Sequence, residues 1–166
     1  MVELKAKVDD LAFVRDNLVQ YGAEQVGVFH QIDTYYKVPN GRLKLREVEG
    51  ETDAELIYYE RENVAEPKRS SVFILKIPQP QIFKQILERI IKVKVMVDKV
   101  REIYVYEGIQ IHLDTVKGLG FFIEFECVTS EDSEQQKKDL LKLEKLREQL
   151  NISPKSLEGL SYSDLI

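Results

Sequence analysis

Alternation with a period of two runs through most of this chain. Val2, Leu4, Ala6 and Val8 share one face of a segment whose other face carries Glu3, Lys5 and Lys7, so Val2–Val8 reads as a half-buried strand. Asp9 or Asp10 then caps a helix with Leu11, Val14 and Leu18 at helical spacing, which Gly22 ends. A second strand is expected over 27–38, followed by a turn at Pro39-Asn40-Gly41. Beyond the turn, Arg42, Lys44 and Arg46 alternate with Leu43, Leu45 and Val48, and here the charged face is wholly basic. A fourth strand, 54–62, leads into a polar loop over 63–71 that the pattern predicts to be mobile and exposed.

The second half repeats the plan. Residues 72–77 form a strand that Pro78 and Pro80 break, and Ile82, Ile86, Leu87 and Ile90 mark a short amphipathic helix. A long strand spans 93–106, and a hairpin follows over 108–128. In that hairpin Ile109, Ile111 and Leu113 alternate with Gln110, His112 and Asp114. Lys117-Gly118-Leu119-Gly120 supplies the turn, and Phe121, Ile123 and Phe125 return opposite Phe122, Glu124 and Glu126. Asp114, Glu124 and Glu126 thus point the same way. Each half reads strand, helix, strand, strand, strand. Eight antiparallel strands in that order suggest a closed barrel, which leaves no unpaired edge. Ser130–Leu150 is a charged helix, capped by Ser130 or Ser133, whose Leu140, Leu143, Leu146 and Leu150 suit one packed face over the barrel. The tail from Ser153 brings Pro154 for a turn and Leu157, Leu160, Tyr162 and Leu165 as docking side chains.

With 166 residues, 43% hydrophobic and 32% charged, the chain fits one domain over 1–166. A net charge of -5 argues against a dedicated nucleic-acid binder. The one cysteine, Cys127, excludes a disulfide framework and lies at the end of an apolar strand as a small buried side chain. Neither a membrane span nor a signal peptide is visible, so a cytoplasmic protein is expected.

The polar faces collect acids Glu3, Asp114, Glu124 and Glu126 and bases Lys5, Lys7, Arg42, Lys44, Arg46, Lys99 and Arg101. Two accounts of these charges stand. Antiparallel strands ordinarily show one solvated, charged face. Here, however, one strand is purely basic and one hairpin purely acidic, and a closed barrel would bring them together. Such an interior suits a polyphosphate, held by Arg and Lys donors and bridged to carboxylates by Mg²⁺ or Mn²⁺. His30 and His112 are far apart and lack Cys companions, which speaks against zinc. The Lys117–Gly120 turn lacks the following helix of a phosphate-cradling loop.

Val2-Glu3-Leu4-Lys5, Gly41 to Arg46, Lys99-Val100-Arg101, His112-Leu113-Asp114, Gly118-Leu119-Gly120 with Glu124 and Glu126, and Ser161-Tyr162-Ser163-Asp164-Leu165 resemble the CYTH superfamily. Its class IV adenylyl cyclase branch is the nearest in look, and the superfamily also contains thiamine and inorganic triphosphatases. The resemblance implies an α+β fold, a closed eight-stranded antiparallel tunnel with flanking helices, that binds ATP or another triphosphate with Mg²⁺ or Mn²⁺. It implies a cyclase making cyclic AMP and pyrophosphate; the alternatives are an inorganic, nucleoside or thiamine triphosphatase, or a non-catalytic triphosphate binder. By resemblance Lys5, Asp114 and Glu126 would serve the reaction. Lys5, Lys44, Arg46, Arg61, Lys99 and Arg101 would bind the triphosphate, and Glu3, Glu124 and Glu126 would hold metal. Arg61, Lys68 and Arg69 match a basic pattern of the branch, and a homodimer is the family habit. Two departures stand out. Met1 occupies the place of the family's first glutamate, and the fifth strand carries Ser71, Phe73 and Lys76 where relatives often have acids.

Overall fold

The computed structural model describes residues 1–166. Its strands are β1 (Val2–Val8), β2 (Glu24–Tyr36), β3 (Arg42–Val48), β4 (Ala54–Arg61), β5 (Lys68–Ile77), β6 (Val93–Tyr106), β7 (Ile109–Val116) and β8 (Gly120–Cys127). Between and after them lie α1 (Ala12–Gln20), α2 (Pro80–Ile90), α3 (Ser133–Gln149), a 3-10 turn at Pro154–Ser156, and α4 (Tyr162–Leu165). The strands close in the order β1-β5-β4-β3-β2-β6-β7-β8, and every pairing is antiparallel. Exchanging each strand with its counterpart four strands away reproduces the same neighbours. The repeat in the order of elements is therefore a two-fold arrangement of the barrel itself, joined through β1–β5 and β2–β6.

The apolar faces of the strands point outward over much of this barrel. Val2, Leu4 and Ala6 of β1, Ile109, Ile111 and Leu113 of β7, and Ile123 and Phe125 of β8 are all buried in the main core. They pack beneath Leu11, Val14 and Leu18 at α1 and Leu143, Leu146 and Leu150 at α3. Full burial of one such side chain is worth about 1.5–3 kcal/mol, so this layer makes the wall behind β1, β7 and β8 rigid. With the apolar face spent outside, the polar face of the same strands is forced inward, because side chains alternate strictly. Glycines shape the hairpin that carries the acids: Gly118 and Gly120 have φ of 80° and 98°, conformations that only glycine adopts cheaply.

The structure corrects several local expectations. The predicted loop 63–71 ends early: Lys68 begins β5 and is buried, because its ammonium donates to the carbonyls of Val64, Glu158 and Gly159. On α2 the apolar stripe divides. Phe83 and Leu87 pack with Tyr36, Leu45, Ala54 and Ile77, while Ile82, Ile86 and Ile90 are exposed. Asp132, and not either serine, caps α3, its carboxylate accepting from the backbone N–H of Glu134 and Gln135. A carboxylate there also meets the positive end of the helix dipole. At α1, Asp10 Oδ1 accepts from Ala12 N at 3.1 Å, and Leu11 takes the cap position. β2 starts at Glu24, earlier than expected.

Candidate functional site

Inside the barrel is a cavity of about 450 Å³. Side chains from all eight strands line it, and Ser161 and Tyr162 close in from the C-terminal segment. That segment is anchored: Arg42 donates to Asp164 at 2.8 and 3.2 Å, Lys94 pairs with the same carboxylate, and Lys5 Nζ donates to the Leu160 carbonyl at 2.8 Å.

One side of the lumen is built on a single carboxylate. Asp33, midway along β2, is fully buried and accepts from Lys44 Nζ (2.9 Å), Arg46 Nε and Nη2 (2.8 and 2.9 Å) and Lys99 Nζ (2.7 Å). The register explains the meeting, since Asp33 lies directly across from Arg46 on β3. Burial alone would raise the Asp33 pKa, but Arg46, Lys44 and Lys99 outweigh it and hold the carboxyl well below the usual range. The lysines yield in the other direction. Burial, with Arg46 and Arg101 nearby, brings Lys99 down to about 7 and Lys44 down to about 8 against the pull of Asp33. Three cationic groups on one anion leave a local surplus of positive charge.

The facing side is mainly acidic. Glu124 accepts from Arg101 Nη2 at 2.6 Å and lies 3.4 Å from Lys5 Nζ. Arg101 is also bidentate on Asp114, at 2.7 and 2.5 Å, and Tyr162 Oη donates to Asp114 at 2.8 Å. Burial opposes the charge on Glu124, yet Arg101 and Lys5 hold its pKa well below the ordinary value. Glu3 behaves differently: burial raises its pKa despite an ion pair with Arg61 at 2.5 Å, and Glu124 and Glu126 push it the same way. Along β8 the register sets Glu124 between Lys5 and His112, and Glu126 between Glu3 and Gln110. His112 Nδ1 is 3.8 Å from Glu124 and 3.7 Å from Glu126.

The cavity therefore unites Glu3, Lys5, Lys44, Arg46, Arg61, Lys99, Arg101, Glu124 and Glu126, with Asp114 buried against Arg101. Met1 lines it as well. Lys68 and Arg69 are not brought in; Arg69 is exposed, and Lys68 ties down the loop before β5. Asp33, Gln31, Tyr35 and Tyr59 escaped the sequence reading. Parity offered a signal for three of them, since Gln31, Asp33 and Tyr35 share one face of β2, but nothing in the sequence placed that face opposite the basic face of β3. Tyr162, expected to dock the tail, also lines the lumen and donates to Asp114. Four lumen residues, Gln31, Arg61, Ser70 and His112, each hold a buried polar atom without a hydrogen-bond partner. Buried polar groups are normally paired, so these four atoms are available to polar contents of the lumen.

Comparison with known proteins identifies the family and the fold. The family profile described as CYTH domain matches residues 1–162. A Methanocaldococcus jannaschii protein named "Putative adenylate cyclase" is 28% identical over 173 residues, covering 99% of this chain and 97% of that protein. Among solved structures, a Pyrococcus horikoshii protein superposes with a TM-score of 0.87 at 22% identity, covering 99% of this chain and 98% of the other. A Hippeastrum protein, described as a putative adenylyl cyclase with a dominant triphosphatase activity, superposes with a TM-score of 0.67 at 16% identity, over 99% and 92% of the two chains.

Proposed function

Because the chain belongs to the CYTH domain family, we propose that its lumen binds a triphosphate together with a divalent cation and converts ATP to cyclic AMP and pyrophosphate. The observation that carries this reading is the separation of charge within one cavity. Lys44, Arg46 and Lys99 gather around Asp33, and Glu3, Glu124 and Glu126 lie on adjacent positions of β1 and β8. A chain of phosphates needs several fixed donors, and Arg46 and Arg101 present guanidinium forks already oriented by carboxylates. The donors are preorganised, so little rearrangement opposes their action on charge that develops at phosphate oxygens.

The residues present also fit a metal. Glu124 and Glu126 offer carboxylate oxygens close to the unpartnered His112 Nδ1, and Glu126 has no Lys or Arg within ion-pair distance. When bound there, a divalent ion would supply Lewis-acid polarisation of a phosphate oxygen. In cyclisation the ribose 3′-hydroxyl loses its proton to water and its oxygen forms a bond to the α-phosphorus, while the bond to the oxygen bridging to the β-phosphate breaks and pyrophosphate leaves with that oxygen. Lys5, fixed by Leu160 and Glu124, and Arg101, fixed by Asp114, would neutralise the departing charge. Ile57, Val72 and Ile74 give the lumen an apolar stretch on β4 and β5 that suits a purine ring.

Hydrolysis of a triphosphate is the second reading, favoured by the dominant triphosphatase activity described for the Hippeastrum protein. Incubation of the purified protein with ATP and Mg²⁺ or Mn²⁺, with products resolved by chromatography, decides between them. Cyclic AMP with pyrophosphate is the expected result. ADP with phosphate, together with turnover of tripolyphosphate, would establish the triphosphatase instead. Tight binding without either product would leave a non-catalytic triphosphate binder.

A further inference from the structure

We propose that His112 is a metal ligand and that, with Glu124 and Glu126, it makes the acidic end of the lumen a mixed nitrogen and oxygen site for a first-row transition ion, Mn²⁺ or Co²⁺ in preference to Mg²⁺. The proposal rests on reading the lumen as a cation site, and is independent of which reaction the protein performs.

The orientation of the imidazole carries the argument. His112 is 4% exposed, and its Nε2 lies 3.3 Å from the Gln110 side-chain oxygen, an atom that can only accept. In the tautomer that this contact favours, Nε2 carries the proton and Nδ1 presents its lone pair. That lone pair is buried, has no hydrogen-bond partner, and is aimed at Glu124 Oε2 and Glu126 Oε1, two further acceptors. Arg101 already meets Glu124 Oε2 at 2.6 Å, but nothing positive stands between the Nδ1 lone pair and Glu126 Oε1, 3.7 Å apart, and these two repel one another unless a cation joins them. The donor atoms of all three residues lie within 4.8 Å of one another. Bonds of about 2.1 Å in octahedral geometry set neighbouring donors about 3.0 Å apart. The 3.7 and 3.8 Å separations at His112 need to shorten by about 0.7 Å, which side-chain rotations of Glu124 and Glu126 can supply.

The surroundings resemble those of a ligating histidine. The second ring nitrogen is oriented by an outer acceptor, Gln110, which fixes both tautomer and ring plane. Glu124 is steadied by Arg101 and Lys5, whereas Glu126 has no Lys or Arg partner to displace. Strand register makes the set, since His112 is the direct cross-strand partner of Glu124 and Glu126 is two residues further along the same face. One imidazole with two carboxylates discriminates between metals: Mg²⁺ prefers oxygen ligands, and nitrogen donors favour the later ions in the order Mn²⁺ below Co²⁺. The alternative occupant of the gap is a proton on Nδ1, which would make His112 an ion-pair partner of the two acids.

Pulsed electron paramagnetic resonance of Mn²⁺ bound to the wild-type protein, without triphosphate, separates these cases. Echo modulation from a directly bound nitrogen is expected, with the frequency change of ¹⁵N when histidine alone is isotopically labelled. His30→Gln should leave the signal intact, because His30 sits outside the barrel between Glu49 and Asp98. His112→Gln should abolish it and weaken Mn²⁺ and Co²⁺ binding by about tenfold or more, with a change for Mg²⁺ of about threefold or less. The labelled wild-type measurement needs no variant, so a poorly folding substitution does not blunt the test. Bound Mn²⁺ without nitrogen modulation, or a signal unchanged in His112→Gln, would overturn the proposal and give the proton its place. Calorimetry with tripolyphosphate tests the wider reading separately: an intact nitrogen signal with no anion binding would support the metal site and remove the triphosphate.

Discussion

Replacing Asp33 by asparagine removes the negative charge that Lys44, Arg46 and Lys99 share, and leaves nearly the same shape. The wild-type carboxylate accepts four hydrogen bonds from these three cationic side chains, between 2.7 and 2.9 Å, and it is fully buried. Removing one partner of a buried ion pair costs about 3–5 kcal/mol, because the charges left behind remain out of water. In a domain of this size each kcal/mol moves Tm by about 2–4 °C, so Asp33→Asn should melt about 6–20 °C below wild type. The same surplus of positive charge should favour an added anion. Tripolyphosphate is expected to bind the variant about tenfold more tightly, a gain of about 1.4 kcal/mol, and to restore a larger part of the variant's stability than it adds to wild type. Differential scanning calorimetry with and without tripolyphosphate, paired with titration calorimetry, measures both effects. A Tm within about 2 °C of wild type, or equal increments from tripolyphosphate in the two proteins, would refute the view that Asp33 balances the charge of Lys44, Arg46 and Lys99.

The two charged sides of the lumen should respond differently to truncation. Glu124→Ala is expected to remove the metal dependence of triphosphate binding, and Arg46→Ala to weaken it about ten- to a hundredfold at every metal concentration, both read by titration calorimetry. The lysines give opposing pH trends. Lys99 at about 7 and Lys44 at about 8 lie below their unfolded value, so the unfolded chain binds more protons and ligand-free stability should rise from about pH 7 toward pH 9. ATP affinity should fall over that range as the same groups lose charge, and thermal melts beside titrations at matched pH would expose parallel trends if the assignment is wrong. Tyr162→Phe deletes the hydroxyl that donates to Asp114 at 2.8 Å and should lower stability by about 1.5 kcal/mol in urea denaturation, the low end for a bond to a charged group because Arg101 still holds the carboxylate. An unchanged midpoint would mean that Tyr162 acts through its ring packing alone.

Much of this molecule was legible in local pattern. Period-two alternation marks β1, β3, β7 and β8 at or near their observed bounds, β6 is expected over its observed range, and the repeated order of elements anticipates the closed eight-stranded ring. Clustering of charge by sign pointed to a polar interior, and Arg46 and Glu124 do line one cavity. Both signals are short-range, since a strand's two faces are fixed by the alternation of its side chains. Lys68 shows where pattern fails: a lysine in a polar, proline-containing stretch reads as exposed loop, and only carbonyls contributed by residues 64, 158 and 159 make its burial affordable.

Which side chains share a face follows from spacing along one strand. Which faces meet does not. Asp33 is an unremarkable acid between Ile32 and Thr34 until register sets it across from Arg46, and closure brings in Lys99 from β6. His112 and Glu124 lie twelve positions apart, yet their pairing across the β7–β8 hairpin leaves an ordinary polar histidine with an unpartnered ring nitrogen beside two carboxylates. Tyr162 reaches Asp114 only because the tail folds back over the lumen. Those encounters depend on strand register, barrel closure and the docking of a terminal segment, which are cooperative properties of the whole chain and leave no local period to read.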